Sequence, residues 1–301
     1  DVYKRQTIIT LILLIPDILT ASFRINIKLL RKMLLYAFPL LIVGLAGMVN
    51  EVSDKLLFKF LLTVPDHITD AKVYMLSQLG IYGANYKLAV LMTLFIQMFR
   101  YAAEPFFFSH AREKDSKKLY ADVMKYFIIF CLVIFLAVTL YLDIFKYFIG
   151  SDFREGLHIV PIVLMANLLL GIFFNLSIWY KLNDLTRFGA YIALIGATIT
   201  IVLNIVLVPV MGYTGAAWAH FFCYLTMVLL SFFLGRKYYP VPYDMKRILI
   251  YFIIAMAFYS IDQLVEWPLD YIRWIANTTL FSAFIIIVFL KERTIYKKSF
   301  Q

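Results

Sequence analysis

Charge is what this chain has least of. Only 16% of its 301 residues are Asp, Glu, Lys or Arg, against about 25% in an ordinary soluble domain. It has two cysteines, Cys131 and Cys223. Both lie deep in apolar runs with no second Cys or His at ligand spacing, which excludes a disulfide scaffold and leaves two plain buried thiols. There is no Gly-rich phosphate loop, no metal-ligand spacing and no G-x-S-x-G string, so neither direct ATP use nor hydrolysis has support, and no cofactor is expected. Long loops are missing too. Ser109–Ala121 and Thr63–Leu79 are the longest on their respective sides, and neither has room for a folded domain.

What fills the chain is hydrocarbon. Apolar residues make up 63%, with 28 Phe and 21 Tyr, and the mean hydropathy is +0.82. The apolar residues come in repeated runs of roughly 20, the length that crosses a bilayer as a helix. The expected fold is therefore an all-α polytopic membrane protein. Eight complete spans are expected at 33–62, 80–108, 122–143, 157–180, 189–208, 215–235, 248–265 and 274–290. Ahead of them, Thr7–Ala21 is a short apolar run broken by Pro16 and Asp17. It reads as the tail of a further span, and the chain begins on Asp1, so residues 1–6 are set aside as an expression or assembly scar.

The formal net charge of +10 is explained by loops on one membrane face, without a nucleic-acid partner. Alternate loops carry eighteen Lys and Arg, from Arg24, Lys28, Arg31 and Lys32 at one end of the chain to Lys291, Arg293, Lys297 and Lys298 at the other. The opposite set has only Lys72, Lys146, Arg154 and Arg273. The rich side is expected in the cytoplasm, with the C-terminus.

Polar residues inside the spans are the candidates for function, because a charge facing lipid at mid-membrane costs about 2.5–3.5 kcal/mol on insertion scales. In span 33–62, Gly44, Gly47, Glu51, Asp54, Lys55 and Phe58 fall on one helical face, Lys59 extends it outward, and Pro39 can kink the inner end. Glu51 and Lys55 are an i,i+4 pair. In span 80–108, Tyr82, Tyr86, Thr93, Gln97, Arg100 and Glu104 form a narrower stripe with Lys87 on its flank. Arg100 and Glu104 can pair near the inner end. Each stripe reads either as the wall of a wet cavity or as a hydrogen-bonded seam between helices. His220, alone in its span, reads first as a packing residue. Asn167, Gly171 and Asn175, like Gly196, Thr200 and Asn204, read as packing surfaces. The string from His110 to Asp115 has the H-x4-D spacing of some acyltransferases, in a loop where chance matches are common.

The segment Trp179–Tyr191, followed by Leu203-Asn-Ile-Val-Leu-Val-Pro209-Val-Met-Gly212-Tyr-Thr-Gly215-Ala-Ala-Trp-Ala, resembles the C-terminal half of oligosaccharide flippases in the multidrug/oligosaccharidyl-lipid/polysaccharide exporter superfamily. Gly83-Ala-Asn-Tyr-Lys-Leu-Ala and Gln97-Met-Phe-Arg-Tyr-Ala-Ala-Glu-Pro-Phe-Phe are also similar to that group. The resemblance covers about residues 30–240. It implies a partial helix at 1–21, a cytoplasmic linker at 22–32, a six-helix lobe at 33–235 and two additional helices with a tail at 236–301. These would be the second lobe and the two extra helices of a 14-helix exporter, with an N-terminal lobe as partner.

The implied function is flipping of a lipid-diphosphate-linked oligosaccharide across the bacterial inner membrane, for surface polysaccharide export, by alternating access. Lys55, Lys59, Lys87 and Arg100 would meet the diphosphate. Tyr82, Asn85, Tyr86 and Gln97 would meet the sugars, and Glu51, Asp54 and Glu104 would couple transport to an ion or proton gradient. The alternatives are a multidrug cation antiporter of the same superfamily, a membrane-embedded glycosyl- or acyltransferase using His110 or Asp115, and a non-transporting scaffold for glycan assembly.

Overall fold

A computed structural model of the chain describes residues 2–20, 26–66 and 68–298, with side chains placed from 6 to 293 within those ranges. Arg24, Ala21 and residues 22–25 of the expected linker lie outside the described residues, as do the side chains of Lys297 and Lys298. The described residues are helical with no strand. The helices are α1 (Val2–Thr20), α2 (Ile27–Leu61), α3 (Ala71–Leu88), α4 (Val90–Ser109), α5 (Ser116–Leu140), α6 (Leu142–Phe145), α7 (Val160–Leu176), α8 (Ile178–Leu182), α9 (Thr186–Met211), α10 (Tyr213–Tyr238), α11 (Met245–Leu264) and α12 (Asp270–Lys298). A tighter 3₁₀ run, Ser151–Ile159, leads into α7. Among the described residues, seven helices are long and apolar enough to cross a membrane, or eight if the bent pair α3 and α4 is one span. The chain is an all-α multi-pass membrane protein.

Two compact units divide at Phe38 and Pro39, inside α2. In the first, α1 keeps every described side chain from Gln6 to Thr20 exposed. The second, Pro39–Gln301, holds the buried core. At its centre are α5 and the Ser151–Leu182 span, each with 67% of its most apolar window enclosed, against 11% for α12. α10 packs on α7 and α9, and α5 packs on α7, α11 and α12. Trp179, Tyr120, Tyr180, Tyr251, Phe135 and Phe173 are almost fully enclosed between these helices.

The α9–α10 corner shows why its sequence is what it is. Gly212 has φ +56°, the left-handed region where a side chain is strained, and its N–H donates to the Val208 carbonyl to close α9. A Cβ on Gly215 would stand 2.5 Å from the Leu207 carbonyl oxygen. Ala216, Ala217 and Ala219 are fully enclosed behind it. Small residues let the two helices close to backbone contact, where packing takes the place of a hydrophobic drive that lipid does not supply.

One expected span is not straight. Residues 80–108 divide at Ala89 into α3 and α4, bent by 53°. No Pro or Gly lies at the break. Asn85 Nδ2 donates to the Ile81 carbonyl (2.8 Å) and the Thr93 hydroxyl to the Ala89 carbonyl (3.5 Å), so side chains take backbone acceptors on both sides of it. The Thr93 hydroxyl also accepts from Asn167 on α7 (3.3 Å). The stripe read as one continuous face is therefore two shorter faces at different angles.

Candidate functional site

The charged face of α2 resolves into two neighbouring rows at i,i+4 spacing. Ala46, Asn50, Asp54 and Phe58 are enclosed, whereas Gly47, Glu51, Lys55 and Lys59 are exposed. Gly44 and Gly47 are open enough that an added Cβ would meet nothing within 4 Å. The enclosed row runs along α9 and α10. Ala46 clusters with Ala193 and Ala197, and higher up the Thr63 hydroxyl donates to the Pro209 carbonyl (3.2 Å). On this row Asn50, Ser53 and Asp54 are enclosed, as Thr200 and Asn204 are on α9.

Asp54 is the centre of a buried polar cluster. Its carboxylate accepts the Tyr82 hydroxyl from α3 at 2.5 Å and the Lys55 N–H at 2.8 Å. His220 of α10 stands with Nδ1 3.7 Å from the same carboxylate and 3.5 Å from the Tyr82 hydroxyl. Its Nε2 is 2.6 Å from the Asn50 carbonyl and, as N–H, donates to it. Tyr224 stacks on the imidazole with ring centres 5.7 Å apart. The His expected to stand alone is thus the link between three helices. On the same stretch of α2, Asn50 Oδ1 and Ser53 Oγ are enclosed with no hydrogen-bond partner, as is Asn204 Oδ1 on α9. Acceptors left this way in a low-dielectric interior cost roughly 1–3 kcal/mol each. Unpartnered enclosed oxygens of this kind are places where an ordered water can sit.

The open row continues around Tyr86. The Lys55 ammonium sits 5.4 Å from the centre of the Tyr86 ring, in cation–π contact, in place of the expected pairing with Glu51. Tyr86 is half-buried and lies edge-on to Tyr82. Lys59, Lys87 and Gln97 are exposed.

Two of the candidate sugar contacts have no open face. Tyr82 is 1% exposed, and Asn85 is 0% exposed with Nδ2 committed to the carbonyls of Ile81 and Phe153. A Cβ on Gly156 would come 2.4 Å from that Asn85 nitrogen, so the 3₁₀ run is seated on α3 there.

A second cluster lies toward the Ser109 end of α4. Arg100 and Glu104 do not pair. The Arg100 guanidinium lies 4.6 Å from the centre of the Phe174 ring, and Glu104 accepts Lys181 Nζ from α8 at 2.8 Å. Between them is a cleft of about 20 Å³ lined by Phe99, Phe107, Phe174 and Asn175, room for one or two water molecules. Asn175, whose Oδ1 is enclosed and unpartnered, is one of these lining residues. Lys181, one of the eighteen loop cations, is a partner for Glu104 that sequence reasoning missed. Its position three residues beyond Ile178, at the end of an apolar run, gave no periodic signal.

The H-x4-D string is local structure. His110 Nδ1 contacts the Phe106 carbonyl (2.8 Å), and Asp115 opens α5. Among the described residues no three His, Cys, Asp or Glu converge as a metal site. Compared with protein-family models, with curated proteins and with solved structures, the chain matches none.

Proposed function

We propose that this chain carries the second lobe of an exporter that flips a lipid-diphosphate-linked oligosaccharide across the bacterial inner membrane, working with an N-terminal lobe by alternating access. The observation that carries the reading is the sign of the exposed charges. Within the spans of α2, α3 and α4, Lys55, Lys59, Lys87 and Arg100 are exposed, and of the three acids only Glu51 is comparably so. Asp54 is enclosed and Glu104 is paired with Lys181.

Exposed cations in a helix of membrane-spanning length are costly against lipid. They are favourable against a diphosphate in a cavity of low dielectric. Tyr86 and Gln97 remain the candidates for sugar contact, and Lys181 joins Arg100 as a cation at the other end. This excess disfavours a cationic drug as substrate. Coupling is best assigned to Asp54, which is enclosed, one helical turn from the unpartnered Asn50 Oδ1 and beside His220. An ion or proton there would alter the contact between α2, α3 and α10.

Lys55→Ala and Arg100→Ala, each alone in the producing cell, are expected to abolish surface glycan with the protein still present in the membrane at its normal level. Normal glycan in both variants rejects the assignment. Altered drug sensitivity with normal glycan would transfer the site to the antiporter reading.

A further inference from the structure

The polar cluster around Asp54 is not the largest in the molecule. The other joins α5 to the C-terminal pair α11 and α12, and the transport reading makes no use of it. Near the Leu140 end, the Asp262 carboxylate is wholly enclosed. It accepts both Nε and Nη2 of Arg273, at 2.8 and 2.9 Å, and also Asn277 Nδ2 at 3.0 Å and Gln263 Nε2 at 2.9 Å. Arg273 Nη1 reaches across to Asp143, just beyond α5, at 2.6 Å. Lys146 donates to the other Asp143 oxygen at 2.8 Å. Asn277 Nδ2 donates in addition to the Leu140 carbonyl at 2.7 Å, and the Tyr141 hydroxyl to Thr278 at 2.9 Å.

Near the Ser116 end, Glu292 of α12 collects three donors. Lys125 Nζ of α5 is at 2.8 Å, the Tyr126 hydroxyl at 3.2 Å and the Tyr251 hydroxyl of α11 at 2.7 Å. The Lys125 and Glu292 side chains are 6% and 12% exposed. Between the two ends Phe284, Ala255 and Tyr251 are enclosed, and Phe135 meets Tyr259 edge-on at 5.6 Å.

A single polar contact between helices is a pivot. Two contacts far apart on the same helices remove tilt as well as slide. Lys125 and Leu140 are separated by about 22 Å along α5 at 1.5 Å per residue. Each contact is made of paired charges in a poorly solvated setting, where separating the partners leaves an uncompensated ion. Arg273 holds its two carboxylates with a planar fork that fixes angle as well as distance.

We infer that α5, α11 and α12 form one rigid body. The C-terminal pair is then a brace on α5, and whatever motion the bundle undergoes takes place at other helix contacts. This inference does not depend on what the protein transports.

Spin labels on Phe130→Cys in α5 and Ile286→Cys in α12, both exposed positions, report the distance directly in the whole chain in lipid nanodiscs. Cys131 and Cys223, both enclosed, stay in place. One narrow distance distribution that does not change with pH or sodium concentration is expected. Glu292→Gln and Arg273→Lys, the latter keeping the charge without the fork, are each expected to broaden it, and Arg273→Ala to broaden it most. A wild-type distribution that is broad or shifts with conditions overturns the rigid body. A distribution unchanged in Glu292→Gln and Arg273→Lys overturns the assignment of the rigidity to these two clamps. Should Arg273→Ala not accumulate, the two milder variants still decide.

Discussion

Two polar regions of the same bundle are built on opposite terms. In the α5–α11–α12 brace every charged group has an opposite charge or several donors, and one acceptor, Asn277 Oδ1, is left over. Along the seam of α2 with α9 and α10, one carboxylate has a tyrosine, a backbone N–H and a histidine nearby, while Asn50 Oδ1 and Ser53 Oγ on α2 and Asn204 Oδ1 on α9 are unpartnered. Satisfied networks in a low dielectric hold one geometry. Partly satisfied ones leave acceptors open to a water or an ion. On the proposed function, the difference separates a part that fixes the helices from a part that responds to an ion or proton.

Breaking the brace should cost the most stability. Arg273→Ala strands an enclosed carboxylate and is expected to destabilise by about 3–5 kcal/mol, read as a large drop in the thermal unfolding midpoint in detergent. A change within error would mean that Asp262 is solvated and the brace weak. Next is the α9–α10 corner, which belongs to neither region and calibrates them. Gly215→Ala sets a methyl against backbone that cannot swing aside, and about 1–3 kcal/mol is expected from overpacking, by the same measurement.

In the seam, Tyr82→Phe removes the hydroxyl that Asp54 accepts, and a loss of about 1–3 kcal/mol is expected from leaving an enclosed acceptor without that donor. Its mark should be a changed dependence of transport on ion or proton gradient, which Gly215→Ala should leave alone. Equal effects of the two on that dependence would erase the distinction drawn between seam and scaffold. The smallest effect is expected from Lys181→Met. Its partner Glu104 has a side chain 40% exposed, so stability should move by under about 1 kcal/mol, while affinity for an anionic lipid headgroup, followed by native mass spectrometry, should fall.

The sequence carried the class of fold because span length and loop charge are one-dimensional quantities. Each expected span has its helix or helix pair, and residues 80–108 were recognised even though they bend. The bend was not legible: no breaker marks Ala89, and its cause includes Asn167, 74 residues from Thr93. On α2 the helical period found the right face but merged its two rows, since a shift of one residue turns a helix by only about 100°. Which row is enclosed depends on where α9 and α10 lie.

The same holds for pairing. Arg100 and Glu104 are a good i,i+4 pair on paper, yet each found a better partner on another helix. The string from Leu203 to Ala219, the most distinctive in the chain, turns out to encode a tight helical corner. It speaks for architecture before it speaks for substrate.

Hydrophobicity summed along the chain, taken alone, determined that this is a bundle of membrane-spanning helices with charge set into several of them. It could do so because burying a backbone in hydrocarbon forces every segment into helix, whatever its neighbours are. Which charges are paired, which are open and which helices are locked together was decided only by the packed structure. Those outcomes depend on contacts between residues far apart in sequence, and on a dielectric that exists only once the helices have closed around them.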